Sequence, residues 1–123
     1  QALRGEPLSV YGDGGQTRTF CHVQDAIDGM VGLMSVKESF GQVFNIGGTR
    51  EISIRDLARL VIERAASQSE VEFIPFEQAY NEDFEDMQRR VPDLEKIAAL
   101  TGYEPQRPIE QIVDDVIAWE RER

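Results

Sequence analysis

Cys21 and His22 stand side by side, two residue types that combine as thiolate nucleophile and base. Neighbours on an extended segment point to opposite faces, so the pair cannot share a hydrogen bond. They read instead as a packed cysteine beside a partly exposed histidine. The glycines of Gly12-Asp13-Gly14-Gly15 invite a dinucleotide reading, but Gly-x-Gly-x-x-Gly would need glycine where Thr17 stands. That motif must also leave a strand and open a helix, whereas this turn joins two extended pieces. One histidine and one cysteine leave no zinc site with normal ligand spacing. Glu77, Glu82, Asp83, Glu85 and Asp86 could hold Mg²⁺ or form an acid and base pair, yet acidic clusters this dense are common on solvated loops. No tyrosine is followed four residues later by lysine: Tyr11 meets Gly15, Tyr80 meets Phe84 and Tyr103 meets Arg107. The pairing that lowers a tyrosine's pKa for hydride-linked proton transfer is therefore absent from the chain.

Arginine is the remaining chemistry. Of 13 basic residues only Lys37 and Lys96 are lysine. A guanidinium offers a planar fork suited to paired oxygens, so a few arginines can hold a small phosphorylated ligand even on an acidic protein. Arg55, Arg59 and Arg64 are read as solvating a helix face.

The elements that must position these residues follow from periodicity and punctuation. Gln1 to Arg4 resemble a last helical turn ended by Gly5. Leu8 to Tyr11 read as a strand, Gly12 to Gly15 as a tight turn, and Thr17 to Val23 as a second extended piece. Ile27, Met30, Val31 and Met34 form a helical stripe running to about Val36, with Asp25 placed as its cap. Gln42 to Ile46 read as a β-type run closed by Gly47-Gly48. Ser53 caps a helix whose buried face is Ile54, Leu57, Ala58, Val61 and Ala65. Val71 to Ile74 is a strand stopped by Pro75, and Phe76 to Arg90 has no clean period and reads as a loop with room for a helical turn. Pro92 opens a short helix ended by Gly102, and Ile109, Ile112, Val113, Val116 and Ile117 define a last amphipathic helix. The expected fold is α/β: a small mixed lobe of about four helices and three to four short strands.

The whole chain is 123 residues with a formal charge of −10, 41% apolar and 29% charged. That is one globular domain, able to bury roughly two-thirds of its unfolded surface. The acidic balance argues against nucleic acid and anionic membranes, whose binding is driven by Lys and Arg. No apolar run approaches the roughly 20 residues of a membrane span and no secretory signal opens the chain, so the expected location is the cytoplasm. A lone Cys21 forms no internal disulfide.

One ordered set of residues remains: Val10-Tyr11-Gly12-Asp13-Gly14, Gln16-Thr17-Arg18-Thr19-Phe20, Val23-x-Asp25, Val43-Phe44-Asn45-Ile46-Gly47-Gly48, Arg89-Arg90-Val91-Pro92-Asp93 and Leu100-Thr101-Gly102-Tyr103-x-Pro105. Each piece is unspecific alone. In this order and spacing they resemble the C-terminal half of the extended short-chain dehydrogenases that act on nucleotide sugars: UDP-glucuronate decarboxylases, UDP-sugar 4-epimerases and dTDP-glucose 4,6-dehydratases. The resemblance covers nearly the whole chain.

It implies that residues 1–123 are the nucleotide-sugar-binding lobe of a two-lobe Rossmann-type enzyme acting on a UDP- or dTDP-sugar. The NAD-binding lobe and its catalytic tyrosine and lysine would lie outside this chain, which alone would bind no cofactor and turn over no substrate. The intact enzyme would be a homodimer. By the same resemblance Arg18, in Gln16-x-Arg18, matches an arginine on the substrate diphosphate, Gln16 counts with it among the substrate-binding residues, and Tyr11 lies where base and ribose are lined. Asn45 matches a residue near the phosphates, and Arg90 the second diphosphate arginine of the decarboxylases. Many epimerases and dehydratases carry Arg-x-Gly-Asp near Asp83 to Asp86; here the residues are Asp-Phe-Glu-Asp, so the duty falls to Arg89 or Arg90. The alternative is a non-catalytic interaction or regulatory domain that keeps the lobe fold. An isolated lobe would also expose apolar surface, and would self-associate or have disordered loops, above all in Phe76 to Arg90.

Overall fold

The computed structural model describes residues 1–76 and 87–123. The chain divides into two compact units, one made of residues 1–18, 52–90 and 113–123 and the other of residues 19–51 and 91–112. In chain order the regular elements are β1 (Leu8–Tyr11), β2 (Thr17–Thr19), α1 (Val23–Met34), β3 (Glu51–Ser53), α2 (Ile54–Arg64), β4 (Val71–Ile74), β5 (Arg89–Arg90), α3 (Glu95–Thr101) and α4 (Ile109–Glu122). The mixed α/β class read from the sequence is the one observed.

The first unit is built on short parallel pairings. β1 and β4 form a two-stranded parallel sheet in register from Leu8↔Val71 to Tyr11↔Ile74, and α2, which links β3 to β4, packs on β1. A parallel pair needs a crossover, and α2 lies within this one. Ser53 caps α2 as its position implies, its hydroxyl accepting from the Asp56 N–H at 3.0 Å. A three-stranded sheet has the order β3-β2-β5. Leu8, Val10, Ala58, Ala65, Val113 and Ile117 are this unit's buried apolar residues with Ala2. Arg64 does more than solvate a helix: its guanidinium forms a two-point ion pair with Asp114 of α4.

The second unit contains α1, α3 and the start of α4, with Ile97 as its most buried side chain. The sequence placed the right helix at α1 but assigned its cap wrongly. His22, not Asp25, is the N-cap, its Nδ1 accepting from the Gln24 N–H at 3.0 Å. Asp25 sits one turn in, 2% exposed, where its carboxylate accepts from the Arg107 N–H at 3.0 Å and from the Arg107 guanidinium. Burial alone would push the Asp25 carboxyl up. Hydrogen bonds from Arg107 and the Gln106 backbone outweigh it and hold the pKa below the usual carboxylate range.

The face that α1 turns inward is not its apolar stripe. The stripe Ile27, Met30, Val31 and Met34 is exposed, Met34 by 76%, and the buried α1 residues are Asp25 and Gly29. The Tyr103 ring explains the small inner face: a Cβ on Gly29 would lie 2.9 Å from its Cε2. The Tyr103 hydroxyl donates to the Gly47 carbonyl at 3.1 Å and lies 3.5 Å from Cys21 Sγ. Burial and then the Cys21 contact push this phenol well above its ordinary pKa.

Gln42 to Ile46, read as a β-type run, joins no strand ladder. It is held from its side: Lys96 donates to the Val43 carbonyl at 2.8 Å and stands 4.5 Å over the Phe44 ring. β2 also stops at Thr19, because the chain turns into the cap of α1 at His22. α3 begins at Glu95 rather than Pro92, with the Asp93 side chain accepting the Glu95 N–H at 2.9 Å, and ends at Gly102 with φ +72° as read.

Candidate anion-binding site

The candidate residues of the first unit cluster around the turn that leaves β1. Gly12 and Gly14 have φ of +67° and +69°, values that exclude most side chains. Both are also crowded. A Cβ on Gly12 would lie 2.2 Å from the Phe76 ring, and one on Gly14 would lie 2.8 Å from Val10 and 2.9 Å from Arg55. The turn is pinned by its own polar atoms. Asp13 Oδ1 accepts the Gly15 N–H at 2.8 Å, the Gly14 carbonyl accepts the Arg55 N–H and the Gln16 carbonyl accepts the Ile54 N–H, each at 3.0 Å. On one side the turn borders an open cleft of about 530 Å³ lined by Gly12, Asp13, Arg55, Phe73 and Pro75.

Tyr11 ends β1 and is partly exposed. Gln16 is only 6% exposed, and its Nε2 donates to the Tyr11 carbonyl at 3.2 Å. Two residues on, β2 and β5 run parallel with Thr17 opposite Arg89 and Arg18 opposite Arg90. Opposed residues of a ladder share a face and successive residues alternate. Arg18 and Arg90 therefore stand together on one face, while Arg89 joins Thr17 on the other. Of the two neighbouring arginines, Arg90 is the one opposite Arg18. Arg18 is oriented by two carbonyls, its Nη1 donating to Thr17 and to Met87 at 2.7 Å each. Arg90 is exposed and has no ion-pair partner among the described residues. Like charges directly opposite in a sheet are destabilising, and an anion shared between the two guanidinia reverses the sign of that interaction.

Asn45 belongs to the second unit. It is exposed, and its Nδ2 donates to the Asp93 carbonyl at 3.0 Å. The stretch Glu77 to Asp86, including the Asp83 to Asp86 segment, lies outside the described residues. Among the described residues no cluster of His, Cys, Asp or Glu could hold a metal ion. The glycine turn does not fit a dinucleotide: it runs into β2 instead of a helix N-terminus, and the Gly15 N–H is already taken by Asp13. The contact that sequence reasoning missed is Phe76 against Gly12. It follows only from the register that pairs Tyr11 with Ile74 and so sets Phe76 beside the turn.

Fold and site together define a mixed α/β chain in which Arg18 and Arg90 stand opposite each other in a parallel ladder that follows a glycine turn. Residues 1–116 match the family described as GDP-mannose 4,6 dehydratase, and the chain belongs to it. It is 37% identical over 121 residues to a UDP-N-acetyl-alpha-D-glucosaminuronate decarboxylase of Bacillus cytotoxicus and 39% identical over 119 residues to UDP-glucuronic acid decarboxylase 1 of Danio rerio. These alignments take in 98% and 97% of this chain but 37% and 27% of the relatives' lengths. Among solved structures it superposes on the UDP-glucose 4-epimerase of Thermotoga maritima, determined with UDP-glucose, with a TM-score of 0.84 and 25% identity over 98% of this chain and 37% of the other. The UDP-glucuronic acid 4-epimerase of Bacillus cereus, in complex with UDP-glucuronic acid and NAD, gives the same figures.

Proposed function

We propose that this chain is the nucleotide-sugar-binding lobe of an NAD-dependent epimerase, dehydratase or decarboxylase acting in the cytoplasm on a UDP- or dTDP-sugar. The observation that carries the reading is the Arg18–Arg90 pair, two arginines directly opposite each other in the β2–β5 ladder and so on one sheet face. They fit the two charges of a pyrophosphate with charge-assisted, partly bidentate bonds. Tyr11, at the other end of the turn, lines base and ribose. Arg89 stands opposite Thr17 and not on the Arg18 face. The names of the relatives, decarboxylases and epimerases of UDP-sugars, support the substrate class.

The chain's share of the activity is binding and orientation. NAD, the residues of hydride-linked chemistry and the homodimer contact belong to a Rossmann lobe outside these residues. The exposed stripe Ile27, Met30, Val31 and Met34 is the surface such a lobe would cover.

Titrating the 123-residue chain with UDP, followed by NMR, tests the reading. A millimolar Kd, about −4 kcal/mol, is expected, because a cleft with one wall retains little affinity. Arg18→Ala and Arg90→Ala should each weaken it about tenfold or more. UDP affinity unmoved by both changes would refute the assignment, and turnover of a UDP-sugar with NAD by this chain alone would refute its catalytic silence.

A further inference from the structure

Gln16 separates the two halves of the candidate site in sequence, and its burial raises the question of what its side chain does. The amide is not presented to a ligand: at 6% exposure it points back to the Tyr11 carbonyl, 3.2 Å from Nε2. That carbonyl is the last of β1. The next backbone group, the Gly12 N–H, still bonds to Ile74 of β4 at 2.8 Å. After it the chain enters two positive-φ glycines, and the side chain of Gln16 takes the place of a strand neighbour.

The backbone of Gln16 is fixed at the same time. Its carbonyl accepts from Ile54 at the start of α2, and the following N–H, of Thr17, bonds to the Gln88 carbonyl at 2.8 Å. One residue therefore ties the end of β1 to the start of β2, with Tyr11 on one side and Arg18 on the other. The cleft beside the turn is open, so polar bonds and the Phe76 contact, rather than enclosure by packing, hold its shape.

From this geometry we infer that Gln16 is a positioning residue: it sets the Tyr11 end of the site against the Arg18–Arg90 end and touches no ligand itself. This rests on the nucleotide-sugar reading above and deepens it. Gln16 acts on the nucleoside half of the ligand through Tyr11, while the diphosphate half is held by guanidiniums anchored on β2 and β5.

The test compares UDP with inorganic pyrophosphate on the 123-residue chain by NMR titration, in the wild type, Gln16→Leu and Gln16→Glu. Leucine removes the donor at similar size, and glutamate sets a carboxylate against the Tyr11 carbonyl. Both variants are expected to bind UDP about tenfold more weakly, the scale of one lost hydrogen bond, with pyrophosphate affinity unchanged. A direct diphosphate contact, or general loss of the fold, lowers both affinities together and overturns the inference. UDP affinity equal to wild type in both variants also overturns it. A wild-type chain that binds neither ligand overturns the nucleotide-sugar reading and this inference with it. The two failures are distinguished by the wild-type titration alone.

Discussion

Asp25 is the residue whose chemistry the fold turns most clearly to structural use. It is nearly fully buried and its carboxylate accepts from both the backbone and the side chain of Arg107. Removing one partner of a buried pair leaves the other uncompensated. Arg107 keeps some exposure, which places the cost at the low end of the usual range. Asp25→Ala is expected to destabilise the chain by about 3 kcal/mol in denaturant unfolding. The pH dependence follows from the lowered pKa of Asp25. A carboxylate depressed in the folded state adds stability that is fully present above its unfolded value of about 4 and disappears as pH falls through the folded value. Wild-type stability should therefore decline more steeply than that of Asp25→Asn below about pH 4. Parallel declines would show that Asp25 is not the group responsible. Position alone suggested a helix cap here, because an aspartate ahead of an apolar stripe has that signature. Its real partner is 82 residues away in sequence, a contact no local pattern encodes.

The helices show what local patterns do encode. Gly5, Gly102 and Ser53 were legible because each satisfies a backbone demand fixed by its own position: a left-handed C-terminal residue or an N-cap oxygen. The end of α2 was not. Ser67 N–H bonds to Ile62 and Ala66 N–H to Glu63, the double bond of a Schellman ending, but the left-handed position is filled by Ala66 at φ +51°. Alanine carries no signal for that conformation and strains in it. Ala66→Gly is expected to raise stability by about 0.5–1 kcal/mol, the relieved strain exceeding the added chain entropy. An unchanged or lowered unfolding midpoint would contradict this. Likewise α1 was legible as a helix from its period, and its orientation was not. Periodicity reports that an apolar face exists, whereas Gly29 against Tyr103 decides which face turns inward. Gln42 to Ile46 has the composition of a strand, but a strand is defined by its neighbour, and composition cannot supply one. The site divides in the same way. Arg18 and Arg90 were named by motif, but their shared face needed the register of two strands whose paired residues are 72 apart in sequence.

At the scale of the whole molecule, the exposed α1 stripe and the 82%-exposed Val43 lie in one unit. Val31→Glu and Met34→Lys act on surface positions, so each should leave stability within about 0.5 kcal/mol of wild type. Together they should shift the sedimentation of a self-associating chain toward monomer. Unchanged association in the double variant would direct attention to another face. The partition of the chain carries a different consequence. The first unit draws its core from both ends of the sequence, Leu8 and Val10 near the start, Val113 and Ile117 in α4. A ribosome delivers these residues in order, so the β1–β4 sheet emerges long before the helix residues that complete its unit. During synthesis that half of the molecule waits with its apolar residues unburied, and only after residues 113–123 leave the exit tunnel can it close. Folding of the first unit therefore waits on the synthesis of α4, and the interval before it is when a chaperone has something to hold.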